Sequence, residues 1–342
     1  MQVRDLAVLL AVVLAGVTGV RAETFPSKPI TLIVPFPAGG PTDAVARIMS
    51  EHMSRTLGQS ILVETVTGAG ATIGIGRVVS APPDGYMLSI GNWTSHVGAP
   101  AIYPVSWNPV TDLTPIVRLP VSSLMIVGRQ SLPANDAKEL ISWLKAQPEP
   151  ATAASVGSGS GAHVCGLYFA QKTGTRLQFV FYRGGAPAMQ DMLAGTVDTM
   201  CAEASQTLAH VTAHKMKAFA VMGRTRYAGL PDVPTMEEMG ISGMDISFWH
   251  GLWAPKGTPG DIVDKLNAAA RAALDDPTVQ ARVAALGMTI PEKAQLTPQA
   301  LHDFHKAEVD KWWPIIRSYG IKLGSRNDAL PERLGMLLGQ PQ

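Results

Sequence analysis

Short apolar segments alternate with amphipathic helical segments along most of the chain, and this alternation constrains the fold more than any other feature. Residues 30–34, 61–63 and 87–90 are short apolar runs that predict buried strands. Between the first two, apolar residues recur at helical spacing over 45–57, and Gly58 predicts the end of that helix. Strands that alternate with helices are typical of an α/β fold with parallel sheets.

The same alternation continues through the second half of the chain. Residues 124–127, 178–182 and 219–222 predict further strands. Residues 186–193 predict a helix that ends at Gly195. From residue 259 onward the apolar spacing is helical, which places the last part of the chain outside the predicted sheets.

The N-terminal segment, residues 1–22, predicts a secretory signal rather than part of the fold. An almost unbroken apolar run over 6–20 follows a short polar start, and small or permissive residues precede a cleavage point after Ala22. This run is shorter than the roughly 20 residues that a transmembrane helix needs. We therefore expect an exported protein, whose mature form has equal numbers of acidic and basic residues.

Composition excludes several classes of protein. The chain carries 28 Lys and Arg against 27 Asp and Glu, and this balance offers no basic surface for nucleic acid. Two cysteines cannot make a four-thiolate zinc site, and the eight histidines show no ligand spacing with cysteine or carboxylate; His210 and His214, four apart, are interpreted as a solvated helix end. The glycines of 68–74 are wrongly spaced for a dinucleotide loop. We therefore expect no metal, no cofactor and no nucleic-acid partner.

The two cysteines, Cys165 and Cys201, leave two interpretations open. In an oxidising compartment they can form a disulfide. Buried thiols also occur singly as small apolar side chains, and sequence does not show whether the two Cα atoms come close enough to be bridged. On these grounds we favour two separate thiols.

Three Gly-rich loops follow predicted strands and lead into predicted helices. They span residues 35–43, 157–163 and 182–187. Glycines let a ligand approach the backbone, and the free amides at a helix N-terminus attract an anion. Ligands of open α/β sheets bind at the carboxyl ends of the strands. The loops therefore predict a site for anionic oxygens built largely from backbone, although each loop alone is also compatible with a tight turn.

Several short motifs run from residue 25 to about residue 322. They are FPSKPI at 25–30, VPFPAGGPTD at 34–43, GAG at 68–70, IG at 73–74, PDGY at 83–86, LPDVPT at 230–235, GLWAP at 251–255 and GTP at 257–259. In combination they resemble the substrate-binding proteins of tripartite tricarboxylate transporters, also called the Bug family. The resemblance covers essentially the whole mature chain.

This resemblance implies a periplasmic two-lobed binding protein, a Venus flytrap that closes on a small organic anion. Each lobe would hold a mainly parallel sheet flanked by helices, and two strands would cross between the lobes near 124–127 and 251–254. The implied segments are a signal peptide at 1–22, lobe one at 25–123 plus 254–325, lobe two at 124–253, and a C-terminal tail at 326–342. The three Gly-rich loops would then face each other across the cleft.

The resemblance also nominates contact residues, because the family holds carboxylates with amides and hydroxyls of these loops. In lobe one they are Phe36, Ala38, Gly39, Gly40 and Thr42. In lobe two they are Ser158, Gly159, Ser160, His163, Tyr182, Gly184, Gly185, Ala186 and Pro187. Asp43 is interpreted as a helix cap rather than as a ligand contact.

Two stretches depart from the family pattern in ways that bear on the ligand. Residues 91–96 match a stretch of small and hydroxyl residues, yet Trp93 is large, and with Thr94 and His96 it joins the candidate contacts. His250 stands where an aromatic residue is common. If these side chains reach the cleft, Trp93 can stack on a ring and His250 can bond a second carboxylate. The alternative places Trp93 in the core or at the rim.

A third departure lies at Cys201 and Ala202, where the family usually has an aromatic residue followed by aspartate. Together these differences imply cleft walls rearranged for a ligand other than citrate. We expect a di- or tricarboxylate, with an aromatic carboxylate such as a benzene dicarboxylate as the alternative.

The resulting hypothesis is a non-enzymatic, monomeric receptor in the periplasm that delivers a small organic carboxylate to the membrane subunits of a tripartite tricarboxylate transporter. A sensor that feeds a membrane signalling kinase would use the same pocket. A secreted hydrolase using Ser158, Ser160 and His163 is a third possibility, but no nucleophile-elbow motif or metal constellation supports it.

Overall fold

The computed structural model describes residues 24–321, and its elements follow the predicted alternation of strands and helices. The predicted signal peptide and the tail at 326–342 lie outside the described residues. The strands are β1 (Ile30–Val34), β2 (Ile61–Thr65), β3 (Met87–Asn92), β4 (Leu113–Arg129), β5 (Ala151–Ser155), β6 (Leu177–Phe181), β7 (Thr199–Glu203), β8 (Met216–Val221), β9 (Ser247–Pro255) and β10 (Met288–Thr289).

The helices flank these strands. They are α1 (Pro41–Leu57), α2 (Thr72–Val79), α3 (Ala137–Ala146), α4 (Gly161–Thr173), α5 (Gly185–Ala194), α6 (Ala204–Thr212), α7 (Gly260–Asp275), α8 (Pro277–Ala285) and α9 (Pro298–Ser318). The helix predicted over 186–193 corresponds to α5, and Gly195 ends it in the left-handed conformation. None of the helices within 24–321 combines the length and the apolar character needed to cross a membrane.

One long strand, β4, is shared by two sheets. Up to residue 123 it pairs with β9 and β10, and over 124–129 it pairs with β7 and β8. The first sheet has the order β2-β1-β3-β9-β4, and the second has the order β4-β7-β5-β6. Strand β1 is parallel to β2 and β3, and β5 is parallel to β6 and β7, whereas every pairing of β4 is antiparallel. The α/β fold is confirmed, with sheets that are mixed because their shared strand is antiparallel to its neighbours.

The strand directions turn the two parallel sets towards each other. Strand β9 is antiparallel to both β3 and β4, so β1, β2 and β3 run in the same direction as β4, towards the second sheet. Strands β5, β6 and β7 run opposite to β4, towards the first sheet. The carboxyl ends of both parallel sets, where ligands of α/β proteins bind, therefore meet between the two sheets.

Strand β9 pairs along its whole length, Ser247–Pro255, with β3 and β4 of the first sheet. The lobe boundary at residues 253 and 254 remains a prediction, and sheet pairing taken alone would move it to about residue 246. Two irregularities in the β4–β9 register, one of them at Pro120, interrupt the ladder between these strands.

Helix α1 begins earlier than the sequence predicts. Pro41 is its first residue, a position that proline favours because its ring presets the helical φ and it has no amide hydrogen to satisfy. Asp43, expected as the N-cap, lies inside the first turn, where its Oδ2 accepts from Gly39 N and Arg47 Nε, both at 2.9 Å. These bonds hold the pKa of Asp43 below its usual value even though burial opposes them.

A cluster of buried aromatic rings fills the space between the first sheet and α9. Trp93 packs edge-to-face on Trp312 of α9, with ring centroids 5.6 Å apart. The His96 ring stacks on Trp253 at 3.8 Å, and His305 of α9 bonds the backbone carbonyl of His96 through Nε2 at 3.0 Å. Edge-to-face and offset contacts of this kind are favourable beyond the apolar area they bury.

Cys165 and Cys201 form a disulfide between α4 and β7, with Cα atoms 6.1 Å apart. The expectation of two separate thiols is therefore wrong. The physical reason is the packing of α4 on the second sheet, which brings residues separated by 36 positions within bonding reach. The disulfide joins two elements that border the space between the sheets: α4, which begins at Gly161, and β7, which ends at Glu203.

Reduction of this disulfide is expected to lower the free energy of unfolding by about 2–4 kcal/mol, because the bond closes a long loop and restricts the unfolded chain. Urea denaturation of the protein with and without reductant measures the change in the free energy of unfolding. The double variant Cys165→Ser/Cys201→Ser should match the reduced protein and show no response to reductant. Equal midpoints for the oxidised and reduced wild type would contradict the prediction.

Candidate functional site

The first Gly-rich loop connects β1 to the N-terminus of α1. Phe36 is half-buried and packs against the core of the first sheet, while residues 37–39 are exposed. Gly39 has φ of +82°, in the left-handed region that glycine adopts without strain. Gly40 is the N-cap of α1 and provides no side-chain acceptor. The first turn of α1 thus has no side-chain cap, and it can receive an anion.

A chain of buried polar groups supports this helix end. Asn92 Nδ2 donates to Thr42 Oγ1 at 2.9 Å, and Thr42 Oγ1 lies 3.2 Å from His250 Nε2. His250 Nδ1 faces the carbonyl oxygen of Pro120 at 2.8 Å, so Nδ1 carries the proton and Nε2 accepts from the Thr42 hydroxyl. The register irregularity at Pro120 frees that carbonyl. Burial lowers the pKa of His250 to about 4, so the imidazole is neutral at pH 7.

The second Gly-rich loop connects β5 to α4 through a self-contained set of hydrogen bonds. Ser160 is the N-cap of α4, and its hydroxyl accepts from His163 N at 3.2 Å and lies 3.1 Å from the Ser155 hydroxyl. His163 Nδ1 accepts from Gly159 N at 3.1 Å. Burial lowers the pKa of His163 to about 4. Ser158, which makes none of these bonds, is half-buried.

This arrangement does not form a serine nucleophile with a histidine base. The Ser160 hydroxyl interacts with the backbone of His163 rather than with its ring, and Nδ1 of that ring is occupied by a backbone amide. A general base must reach the proton that it removes. Within 24–321, moreover, no three His, Cys, Asp or Glu side chains are arranged to hold a metal ion.

The second loop touches the first sheet directly. Gly161 N, in the first turn of α4, donates to Thr94 Oγ1 at 3.0 Å. Gly98 lies so close to Gly159 that a β-carbon at Gly98 would be 2.3 Å from the Gly159 carbonyl oxygen. A β-carbon at Gly161 would be 2.7 Å from the ring of Phe248. Glycine is required at these positions because a side chain would collide with the backbone of the second loop at Gly98 and with the Phe248 ring of β9 at Gly161.

The third Gly-rich loop connects β6 to α5. Gly184 is the N-cap of α5 and supplies no side-chain acceptor, so this helix end resembles that of α1. Gly185 is half-buried, whereas Ala186 and Pro187 are exposed. The Tyr182 hydroxyl donates to Asp191 Oδ2 at 2.7 Å, and burial together with this carboxylate raises the pKa of Tyr182.

Glu203 is a functional candidate that sequence reasoning missed. It is the last residue of β7, it is 8% exposed, and Oε2 has no hydrogen-bond partner among the described residues. Gln206 Nε2 approaches Glu203 Oε1 at 3.4 Å. Burial raises the pKa of Glu203 to about 8, although Ser205 and Gln206 beside it partly oppose this. Asn92, the last residue of β3, was missed too. In both cases the available signal was a polar residue at the end of an apolar strand.

The structure does not bring every predicted contact to the space between the sheets. Trp93 and His96 are fully buried in the aromatic cluster beside α9, which matches the core alternative for Trp93, and the Trp93 ring also lies 3.6 Å from the β-carbon position of Gly161 in the second loop. Contact of these two side chains with a ligand stays a prediction. Thr42 and His250 are also buried. They bond to each other, and this bond holds Thr42 at the end of the first loop. The loop residues between 36 and 40, 158 and 163, and 182 and 187 do lie at the facing carboxyl ends of the strands.

Comparison with known proteins agrees with this architecture. Residues 45–321 match the profile of the tripartite tricarboxylate transporter family receptor, TctC. The structure of the periplasmic binding protein BugD is 38% identical, with a TM-score of 0.80 over 87% of this chain and 99% of that chain. MatC from Rhodopseudomonas palustris with bound malate is 35% identical, with a TM-score of 0.80 over 85% of this chain and 100% of that chain.

A third solved structure, Rpa4515 from R. palustris with adipate, is 28% identical, with a TM-score of 0.80 over 87% of this chain and 99% of that chain. The profile match covers most of the chain, and the two-sheet architecture is shared with solved members. The fold class expected from the short motifs is therefore confirmed, and the chain belongs to the Bug family of tripartite tricarboxylate transporter receptors, which are periplasmic solute-binding proteins.

Proposed function

We propose that this protein captures a small organic dicarboxylate between its two sheets and delivers it to the membrane subunits of a tripartite tricarboxylate transporter. One observation carries the proposal: α1 and α5 both begin at a glycine that provides no side-chain cap, and they extend from strands whose carboxyl ends face each other. Two uncapped helix ends suit two carboxylate groups at opposite ends of one ligand.

The electrostatics of the loops support an anion held by dipoles. Asp43 in the first loop is already bound to Arg47, and Arg183 in the third loop is exposed. The imidazoles of His163 and His250 are neutral at pH 7, because burial lowers the pKa of each to about 4. Backbone amides and hydroxyls are therefore the groups in these loops that can bind a carboxylate.

The ligand class is narrowed by the relatives and by the position of Trp93. Two solved members hold malate and adipate, which are aliphatic dicarboxylates of different length. Trp93, the residue that favoured an aromatic ligand, is buried against Trp312. We therefore propose an aliphatic dicarboxylate and keep a benzene dicarboxylate as a test compound.

Delivery requires a surface that changes when ligand binds, and the contact between Thr94 and Gly161 supplies a physical basis for it. This bond joins the β3 end of the first sheet to helix α4 on the second sheet, so it exists only when the two sheets are close. A ligand that binds both uncapped helix ends favours the same closed arrangement. We also propose that the protein works as a monomer in the periplasm, after its signal peptide is cleaved following Ala22.

Isothermal titration against malate, adipate, citrate and phthalate tests the ligand class. We expect one site per chain, with an aliphatic dicarboxylate bound most tightly. The diamide of malate is the matched control and should not bind. Folded protein that binds none of the carboxylates would overturn the proposal.

The substitution Gly161→Ala should weaken the binding of the preferred dicarboxylate by about tenfold, because the added methyl group meets the Phe248 ring and disfavours the closed arrangement. Gly260→Ala is the matched control: Gly260 is also the first residue of a helix, and nothing lies within 4 Å of its β-carbon position. Titration calorimetry and small-angle scattering report affinity and closure. Equal affinity in the two variants would count against closure at this contact.

A further inference from the structure

We propose that Glu203 determines specificity in this site: its carboxyl group, in the protonated form, donates a hydrogen bond from Oε2 to an oxygen atom of the bound ligand. The inference rests on the proposed function, because it assumes a ligand between the two sheets. It adds a requirement on the ligand that the Gly-rich loops do not impose. The ligand must place an oxygen acceptor, and not an ammonium group, next to the end of β7.

The position of Glu203 places it next to the third Gly-rich loop. Glu203 ends β7, which lies beside β5 in the second sheet, and β5 in turn pairs with β6. Gln206 connects Glu203 to the N-terminus of α5: its amide nitrogen lies 3.4 Å from Glu203 Oε1, and its Oε1 would be 2.3 Å from a β-carbon at Gly185. The carboxyl group and the uncapped end of α5 therefore form one continuous surface.

The hydrogen-bonding state of the carboxyl group is incomplete. Oε1 has Gln206 Nε2 as a neighbour at 3.4 Å. The Ser205 hydroxyl lies beside the same carboxyl group and lowers its pKa, yet neither Ser205 Oγ nor Glu203 Oε2 has a partner in hydrogen-bond geometry among the described residues. A buried polar atom left unpaired is costly, so such an atom at the edge of a binding site indicates a missing partner. A protonated Oε2 needs an acceptor, and a carboxylate or hydroxyl oxygen of the ligand provides one.

Burial of Glu203 favours the protonated form, although Glu203 is also the N-cap of α6, whose dipole favours the ionised form. Burial is the main cause of its raised pKa, and its polar neighbours Ser205 and Gln206 carry no charge. The titratable side chains on the elements packed against β7 are His163, Tyr168 and Lys172 of α4, Arg118 and Arg129 of β4, and His210 of α6, with Tyr182, Asp191 and Tyr227 on the segments around α5 and after β8. Arg129 is paired with Asp198, which precedes the opposite end of β7. His163 is neutral because burial lowers its pKa to about 4, and the pKa values of Tyr182 and Tyr227 are raised.

The charge state matters because the proposed ligand is an anion. An ionised Glu203 would repel a carboxylate in a site of low dielectric constant, whereas the protonated form supplies a donor. A carboxylic acid kept neutral at pH 7 by its apolar surroundings can serve as such a donor. Deprotonation at high pH should thus remove the hydrogen bond and introduce repulsion at the same position.

The pH dependence of binding provides the test, with malate and adipate as probes because both stay fully ionised above pH 7. If only the protonated form binds, a pKa of about 8 predicts that affinity falls about tenfold between pH 7 and pH 9. Binding at pH 9 should take up close to one proton, which calorimetry in buffers of different ionisation enthalpy measures. An absence of proton uptake in the wild type would overturn the proposal.

The variant Glu203→Gln keeps a neutral donor of the same shape, so it should bind within about threefold of the wild type at pH 7 and show no fall at pH 9. Glu308→Gln is the matched control, because Glu308 of α9 is a half-buried carboxyl whose pKa is also raised by burial, and it accepts from Trp249 Nε1 of the first sheet at 3.0 Å. It should retain the tenfold fall. The same fall in Glu203→Gln would assign the titration to another group and overturn the proposal.

Two further readouts separate the inference from the proposed function. Infrared difference spectra of ligand-free wild type and Glu203→Gln report a protonated carboxylic acid at pH 7 even if no carboxylate binds, and an ionised Glu203 there overturns the inference alone. L-Aspartate, which carries an ammonium group where L-malate has a hydroxyl, should bind at least tenfold more weakly than L-malate. Tighter binding of aspartate, lost in Glu203→Gln, would show an ionised Glu203 and overturn the inference while supporting a carboxylate receptor.

Discussion

The backbone pairing of β4 is the constraint on which the rest of the structure depends. A single strand, Leu113–Arg129, contributes its first part to one sheet and its last part to the other, and all of its ladders are antiparallel. Strand β9 lies between β4 and the parallel strands of the first sheet, whereas β7 adjoins β4 directly in the second sheet. The two parallel sets therefore run in opposite directions, and their carboxyl ends point at each other. The Gly-rich loops face one another for this reason, without any direct interaction between their side chains being required.

The site that results is polar but uses little charge. Buried hydroxyl, amide and imidazole groups satisfy one another around Thr42, and the bulge at Pro120 supplies the final acceptor. The aromatic rings beside α9 form an apolar wall behind this network, and burial keeps the histidines neutral. In the proposed site, helix ends and one protonated carboxyl group bind the anion, in keeping with a chain that has a formal net charge of only +1.

Sequence reasoning was effective for periodic elements and weak for side-chain direction. Apolar spacing predicted α5 and its end at Gly195, and the motifs identified the family, because both depend on residues close together in the chain. The side chain of Trp93 follows β3 and could point either into the cleft or towards α9. Packing against Trp312, more than two hundred residues later, decides this direction. Cys165 and Cys201 pair for a similar reason, since the packing of α4 on β7 is not visible in either local segment.

By itself, the sequence determined the alternation of strands and helices, the three Gly-rich loops and the membership of a receptor family, because local spacing and turn chemistry encode them. Tertiary structure alone decided which sheet each strand joins, which loops face each other and which polar groups are left without a partner. Glu203 shows the difference most clearly. Its acidity is an ordinary property of the residue, and only burial at the end of β7 raises its pKa to about 8, which in the proposed site turns a carboxylate into a donor.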